Sequence, residues 1–186
     1  MTEPVSTTNL ISTMQDARNR TLELVRDLDE DQLMGPMLPT VNPLRWEIAH
    51  TAYFYEFFIL RQLYRYESVL GERADQLYDS IAVAHDLRWD LPLLNRTDTL
   101  SYMQAVFDRL AERLDGNSDS MATEQDSFIY QFGIFHEDMH TEAFLWARQT
   151  LAYPTPTLAI AADVSAERAA GPHPGWAAVP GGQFLL

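Results

Sequence analysis

The amino-acid sequence predicts an all-α protein, a four-helix bundle, and three observations support this prediction. Apolar residues recur at three- and four-residue spacing in four long stretches, which is the period of an amphipathic helix. Glycine and proline fall between these stretches, where helices end. Within the bundle region we see no stretch typical of a β-strand. Four long helices without strands pack most simply as a bundle around one core.

The first predicted helix runs from about Val5 to Leu33 and ends before Gly35-Pro36. Its apolar stripe consists of Leu10, Met14, Ala17, Thr21, Leu24 and Leu28. The second starts at Asn42-Pro43, with asparagine as N-cap and proline at the first helical position, and continues to about Tyr66. Apolar side chains cover more than one of its faces, so we expect this helix to be central and buried.

Periodicity is weak from Gly71 to Thr97, which predicts a long loop holding one short helix at most. Thr99 is the predicted N-cap of the third long helix, which ends near Gly116. Its inward residues are predicted to be Leu100, Met103, Val106, Phe107, Leu110 and Leu114. The fourth helix is predicted from Thr123 to Leu151. Its predicted apolar side comprises Phe128, Phe132, Phe135, Met139, Ala143 and Trp146.

Composition excludes several classes of function. A length of 186 residues suffices for one sizeable core. A net charge of −14 disfavours binding to nucleic acid and to anionic membranes. The absence of cysteine excludes disulfides, thiolate metal sites and a cysteine nucleophile in this chain. The sequence shows no signal peptide and no apolar run that would span a bilayer, so we expect a soluble cytoplasmic protein. It does not predict an oligomeric state.

Histidines carry the main chemical signal. His136 and His140 lie four residues apart in Phe-His-Glu-Asp-Met-His, which stacks both imidazoles on one helix face where one metal ion can take both. Burying such a pair without a metal would leave ring nitrogens unpartnered. His50 lies on the second helix among apolar side chains, where a lone histidine is more often a core residue than a ligand. His85 in the loop and His173 in the tail are not expected to be ligands.

The same residues fit the HExxH pattern of zinc peptidases, in which Glu137 would be the general base. That interpretation ranks second, because the pattern is short and the bundle offers no edge strand to align a peptide. We prefer to interpret Glu137 as a solvated helix carboxylate. Imidazole ligands alone suit zinc, iron, copper or nickel, so the ligand type leaves the metal open.

Four segments resemble the ergothioneine-biosynthesis sulfoxide synthases. Residues 42–56 resemble their Pro-x-x-Trp-x-x-x-His-x-x-x-Phe-x-Glu segment, and residues 133–142 are similar to their second histidine motif. Leu77-Tyr-Asp-Ser80 resembles their Leu-Phe-Asn-Ser stretch. Residues 179–184, Val-Pro-Gly-Gly-Gln-Phe, resemble the entry into the formylglycine-generating-enzyme-like domain that follows in that family.

The resemblance implies a DinB-like four-helix bundle in which His50, His136 and His140 bind a non-haem iron(II), with zinc or nickel acquired on purification as alternatives. In that family iron and dioxygen join a small-molecule thiol to the imidazole carbon of a cationic, trimethylated histidine and form a sulfoxide. Related enzymes insert selenium, so the donor stays open. Family members often hold the thiol's carboxylates with arginines of the loop after the Asn-Ser pair. That implies Arg88, with Arg96 as a further candidate, for substrate binding here; the alternative is a surface ion pair.

The resemblance also implies two domains. Residues 1–152 would form the DinB-like metal-binding bundle, and residues 153–186 a linker and the start of the next domain. The catalytic tyrosine and much of the pocket belong to that next domain in the family, so we expect this chain to bind metal without turnover. Two alternatives stay open: a DinB-like zinc-dependent thiol transferase or hydrolase, and a non-enzymatic bundle whose histidines serve packing or partner association.

Overall fold

A computed structural model describes residues 4–114, 120–161, 178 and 180–182 of the chain. Over these residues it is all-α, as predicted, with no β-strand beyond one isolated bridge. The α-helices are α1 (Thr7–Val25), α2 (Glu30–Met34), α3 (Leu44–Tyr55), α4 (Arg73–Tyr78), α5 (Arg96–Leu114) and α6 (Glu124–Thr150). A π-helix over Glu56–Leu63 continues α3, and 3-10 turns cover His85–Trp89 and Ala159–Ala161. In the described part of the chain, no helix has the length and apolar character to cross a membrane.

Four long helices form the bundle. Helix α1 packs along α6, and α3 packs against both α5 and α6. The central position predicted for α3 is confirmed, because residues on several of its faces, including Trp46, Ile48, Ala49 and Tyr55, are at most 1% exposed. The loop between α3 and α5 contains α4, which packs on α3, and one 3-10 turn. The central helix therefore contacts α4, α5 and α6, the elements around it from which a site can be built.

The first predicted helix is wrong in its length, since it ends at Val25 and a separate α2 follows. Two arginines from other helices bind the carbonyls at the end of α1. Arg96 donates to the carbonyls of Val25 and Leu28, and Arg148 donates to that of Leu24. Asp29 then starts α2 with a capping box. The predicted stripe from Leu10 to Leu28 is nevertheless buried throughout.

Two predicted helix caps are also wrong. Helix α3 starts one residue later than expected, and the Asn42 side chain accepts a hydrogen bond from Arg88 instead of capping the helix. In α5 the capping side chain is Asn95, which accepts from the Asp98 amide, while Thr99 is fully buried one turn inside the helix. Leu100, predicted to face inward, lies at the surface, and the other five predicted inward residues of α5 are buried. The predicted end near Gly116 lies outside the described residues.

Helix α6 has the predicted bounds, with Thr123 as N-cap, but the face predicted to be its apolar side is wrong. The residues exposed by about half or more are Phe128, Phe132, Phe135, Met139 and Trp146, at 55%, 48%, 65%, 54% and 54%. The buried face instead carries Tyr130, Gly133, Ile134, Glu137, His140, Phe144 and Ala147. An ion pair that the hydrophobic pattern does not show turns α6 this way, because the Glu137 carboxylate is buried against Arg18 of α1 at 2.7 Å.

The segment after α6 is bonded to the bundle at two points, Tyr153 and Ala159. The Tyr153 hydroxyl donates to the Gln32 carbonyl at 3.0 Å, and the Ala159 amide donates to Glu23 at 3.0 Å. The predicted linker and domain start at 153–186 fall mostly on residues 162–177, 179 and 183–186, which lie outside the described residues. That division stays a prediction.

Replacing Gly133 with alanine is expected to destabilise the fold. A Cβ at this position would lie 2.4 Å from Cε1 of Tyr55, whose ring is fully buried in α3. Overpacking of this kind costs about 1–3 kcal/mol, against roughly 1 kcal/mol that alanine gains over glycine in a helix. We expect a net loss in the free energy of unfolding, measured by urea denaturation. Gly182→Ala, with nothing within 4 Å of its Cβ, is the control and should change nothing. Unchanged stability of Gly133→Ala would show that α3 and α6 are not closely packed at this point.

Candidate metal centre

Three histidines from the two facing helices α3 and α6 converge in the bundle. One ring nitrogen from each of His50, His136 and His140 lies within 4.8 Å of the others. The ring centroids are 5.3 Å apart for His50 and His136, 5.0 Å for His50 and His140, and 4.6 Å for the pair on α6. His50 and His140 are buried and His136 is half-buried. The convergence that the sequence predicted is therefore present.

Two of the imidazoles are oriented by an acceptor behind them. Nδ1 of His50 lies 2.8 Å from the Tyr78 carbonyl, at the end of α4. Nδ1 of His140 lies 2.7 Å from the Glu47 carboxylate, one turn before His50 on α3. A carbonyl or carboxylate can only accept, so each Nδ1 carries a proton, and in the neutral tautomer Nε2 keeps the free lone pair. Carboxylate and carbonyl partners of this kind fix the tautomer and ring orientation of metal-binding histidines.

The ring nitrogens without a hydrogen-bond partner show whether these residues suit a metal ion. Nδ1 of His136 and Nε2 of His140 are buried and have no hydrogen-bond partner among the described residues. A buried polar atom without a partner costs free energy, and native folds seldom leave two together. Because Glu47 engages Nδ1 of His140, Nε2 of that ring is free to bind a cation held between the rings. The donor set of neutral imidazoles suits a divalent transition metal.

Burial keeps the imidazoles of His50 and His136 neutral. The pKa of His50 is lowered to about 3, chiefly by burial and then by the nearby His140, against a smaller opposing effect of the Tyr78 carbonyl. The pKa of His136 is lowered to about 2 by burial and by the two other histidines. Metal ligation requires unprotonated imidazole, so His50 and His136 stay in the form that binds a metal well below neutral pH.

Aromatic rings stack on the faces of two of the histidines. Trp46 stacks on His50 with ring centroids 4.7 Å apart, and Phe54 stacks on His136 at 3.7 Å. The Arg88 guanidinium lies 3.9 Å from the centroid of the Trp46 ring. These flat contacts restrict ring rotation and thereby fix the direction in which the ring nitrogens of His50 and His136 point.

Arg88, predicted to bind substrate, is not at an exposed surface ion pair. It is 9% exposed and donates to the Asn42 side chain at 2.6 Å and to the carbonyls of Ser80 and Val83 at 3.4 and 3.3 Å. Burial lowers its pKa. Arg96, the second candidate, binds carbonyls at the end of α1. The structure thus gives both arginines partners within the protein, and a role of Arg88 toward substrate stays a prediction.

The structure also locates Glu137 and His85, and neither is a candidate ligand of this centre. Glu137 is fully buried, not solvated as expected, and both its oxygens contact Arg18 while one also accepts from Thr21 at 3.0 Å. A carboxylate engaged in this way does not suit the general base of a zinc peptidase. His85 bonds the Val41 carbonyl at 2.7 Å and stands apart from the three-histidine group, and His173 lies outside the described residues.

Sequence reasoning missed the partners of the histidines. Glu47 gave one usable signal, since it is a carboxylate in an otherwise apolar helix, three residues before His50. The Tyr78 carbonyl gave none, because a backbone acceptor has no sequence signature. The Arg18–Glu137 pair spans 119 positions and gave none either.

The fold and the three inward histidines define a helix-bundle protein with candidate metal ligands on two facing core helices. The chain belongs to the DinB superfamily, whose family model matches residues 13–144.

Three curated relatives, each named hercynine oxygenase, are similar to this chain. The protein from Mycolicibacterium thermoresistibile is 32% identical over 133 residues, covering 71% of this chain and 29% of its own length. That from Mycolicibacterium smegmatis is 31% identical over 175 residues, covering 91% and 38%. That from Mycobacterium tuberculosis is 32% identical over 132 residues, covering 70% and 30%. The chain thus spans about a third of the length of these relatives.

The depressed histidine pKa values predict a pH dependence for the metal-free protein. As pH falls below about 6.5, the histidines of the unfolded chain take up protons while His50 and His136 in the fold do not, until about pH 3 and 2. The unfolded state then binds more protons, so stability present at pH 7.5 is lost toward pH 5.5, by up to about 1.4 kcal/mol per pH unit for each histidine. Urea denaturation across this range measures the slope.

The comparison for this pH dependence is His85→Gln, which replaces a histidine outside the three-histidine group. His50→Gln with His136→Gln should flatten the slope. If stability depends on pH with the same slope in the unaltered protein, in His85→Gln and in the double variant, the two core histidines do not cause that slope.

Proposed function

We propose that His50, His136 and His140 bind one divalent metal ion, iron(II) in the functional protein, and that this bundle is the metal-binding part of an oxygen-dependent oxidoreductase. The observation that carries the proposal is the convergence of three imidazoles, two of whose buried nitrogens lack partners among the described residues. The ligand set contributes no negative charge, and three ligands leave coordination positions open for substrates. When bound, iron(II) supplies one-electron chemistry with dioxygen.

The substrate class in this proposal comes from the relatives. Their name describes an oxygenase acting on hercynine. We propose that this chain serves the same kind of reaction, in which a carbon–sulfur or carbon–selenium bond forms on a trimethylated histidine and a sulfoxide results. The partners would be a small-molecule thiol or selenol, the cationic histidine derivative and dioxygen. The protein's own part is to hold the ligands in a dry, aromatic setting and to keep them unprotonated.

Within this proposal each outer partner has a defined task. Glu47 holds the proton on Nδ1 of His140 and aims Nε2 at the centre, while the Tyr78 carbonyl does the same for His50. Glu47 also supplies a negative charge next to a cationic centre, which offsets the charge that the neutral imidazoles leave uncompensated. Arg18 of α1 neutralises Glu137 and holds that carboxylate toward α1, away from the metal.

Metal titration tests the ligand assignment. Metal-free protein, purified without a histidine tag, should bind one Co(II) per chain with a visible absorption spectrum that reports its ligands. Alanine at any of the three histidines should weaken binding by more than about 100-fold, because a ligand is lost outright, and Glu47→Gln should weaken it by about 10–100-fold. His85→Ala is the matched control. Equal affinity in His50→Ala and in the control would contradict the assignment.

Metal analysis of the protein as expressed separates the proposal from its alternative. Iron supports the oxygenase proposal, whereas zinc would favour a DinB-like thiol transferase or hydrolase.

Turnover gives a second test. The 186-residue chain, supplied anaerobically with iron(II) and then with dioxygen, a thiol and trimethylhistidine, is expected to bind the metal and form no sulfoxide. The reason is that the chain matches about a third of the relatives' length, and in the resembling family the remaining length supplies the catalytic tyrosine. Product analysis by mass spectrometry measures this. Sulfoxide formation by the chain alone would refute the expectation.

A further inference from the structure

We propose that the aromatic pocket beside the histidine centre is a subsite for an alkylammonium cation. The pocket is lined by Tyr53, Phe54, Phe57 and Phe58, by residues 79–81, and by His50 and His136. This inference rests on the proposed function in one respect, since it assigns the pocket to the charged end of the histidine-derived substrate. Its own support comes from the shape, ring geometry and charge of the pocket.

The cluster of aromatic rings favours a large cation that carries no hydrogen-bond donor. Tyr53 and Phe57 stack at 5.6 Å, Phe54 and Phe58 lie 4.6 Å apart, and Phe57 meets Phe58 edge to face at 5.1 Å. A quaternary ammonium group offers no N–H, so polar side chains gain little from it, whereas the electron-rich faces of several rings attract it. The face of Phe57 already accepts one cation, because the Arg61 guanidinium lies 5.3 Å from its centroid.

The charge that lines the pocket is negative. Asp79 contributes a carboxylate whose Oδ1 accepts from the amides of Ile81 and Ala82, and among the described residues no donor bonds its Oδ2. No arginine lines the pocket, and the chain contains no lysine. Arg61 is neutralised by Asp75 through two hydrogen bonds of 2.6 and 2.8 Å. A carboxylate-bearing thiol would find no counter-charge here, but a cation would.

Size and position fix which end of a ligand enters. The cavity measures about 230 Å³, which is less than the roughly 300–1,000 Å³ of sites that hold a whole small molecule. It therefore takes one end of a ligand. Because His50 and His136 form part of its wall, a ligand with its ammonium among the rings has its other end within reach of the three-histidine centre. The two ends match a heterocycle joined to an alkylammonium group.

Comparing choline with 3,3-dimethylbutan-1-ol tests the inference. The two probes have the same shape, but only choline is charged. Titration into the metal-free 186-residue chain, followed by ligand-detected NMR, should show choline binding about fivefold more tightly or better, as aromatic recognition of a cation predicts. Phe57→Leu keeps an apolar wall without the ring face and should remove most of that preference. Equal binding of both probes to the unaltered protein would overturn the inference.

Asp79→Asn is the second variant, since asparagine can keep the acceptor for the two amides while losing the charge. It should lower choline affinity and leave the neutral probe unchanged. Asp86→Asn removes the same charge from an exposed residue outside the pocket and is the matched control. Equal losses in the two variants would mean that overall charge, not the pocket, attracts choline.

The Co(II) titration on the same samples keeps the two proposals apart. Normal metal binding without a choline preference would contradict the subsite and leave the metal proposal standing. A choline preference with no metal binding would support the subsite and contradict the metal proposal.

Discussion

The rotation of α6 about its own axis decides the rest of this structure. Two contacts set it. Glu137 is buried in an ion pair with Arg18 of α1, and Gly133 lets the Tyr55 ring of α3 lie directly on the helix backbone. A buried charge left without its partner costs several kcal/mol, so the orientation that pairs Glu137 prevails over the one that would bury more aromatic surface. His140, one turn further on, is thereby turned toward α3.

The same rotation of α6 leaves large apolar side chains exposed at the surface. The residues of α6 that carry most apolar area, from Phe128 to Trp146, lie outside the core of the described bundle. Some of them extend the aromatic surroundings of the site, since Phe132 packs on Phe54, which in turn stacks on His136. An exposed apolar patch of this kind is unusual for an isolated domain. The aromatic character of the centre and the exposed stripe thus share one cause.

Desolvation makes the centre chemically specific. Burial among aromatic rings lowers the pKa of His50 and His136 and keeps these two imidazoles neutral. Nδ1 of His136 and Nε2 of His140 have no partner among the described residues. Glu47 and the Tyr78 carbonyl use up the other ring nitrogens. The chain's excess of acid then matters locally, because Glu47 and Asp79 both stand close to where positive charge is proposed to bind. Negative charge and aromatic ring faces in one place favour a cation over an anion.

By itself, the sequence determined the helical class, the limits of α6, the central place of α3 and the pairing of His136 with His140, because each of these follows from local periodicity or from spacing within one helix. His50 joined that pair only through the resemblance to a known family. Tertiary structure alone decided where α1 ends, which side chains cap α3 and α5, and which face of α6 is buried. It also decided that Glu137 is an interior ion-pair partner. Each of these depends on a contact between residues far apart in the chain, such as Arg96 with the end of α1 or Arg18 with Glu137. Hydrophobic periodicity records which residues are apolar, but it does not record which buried charge has found its partner.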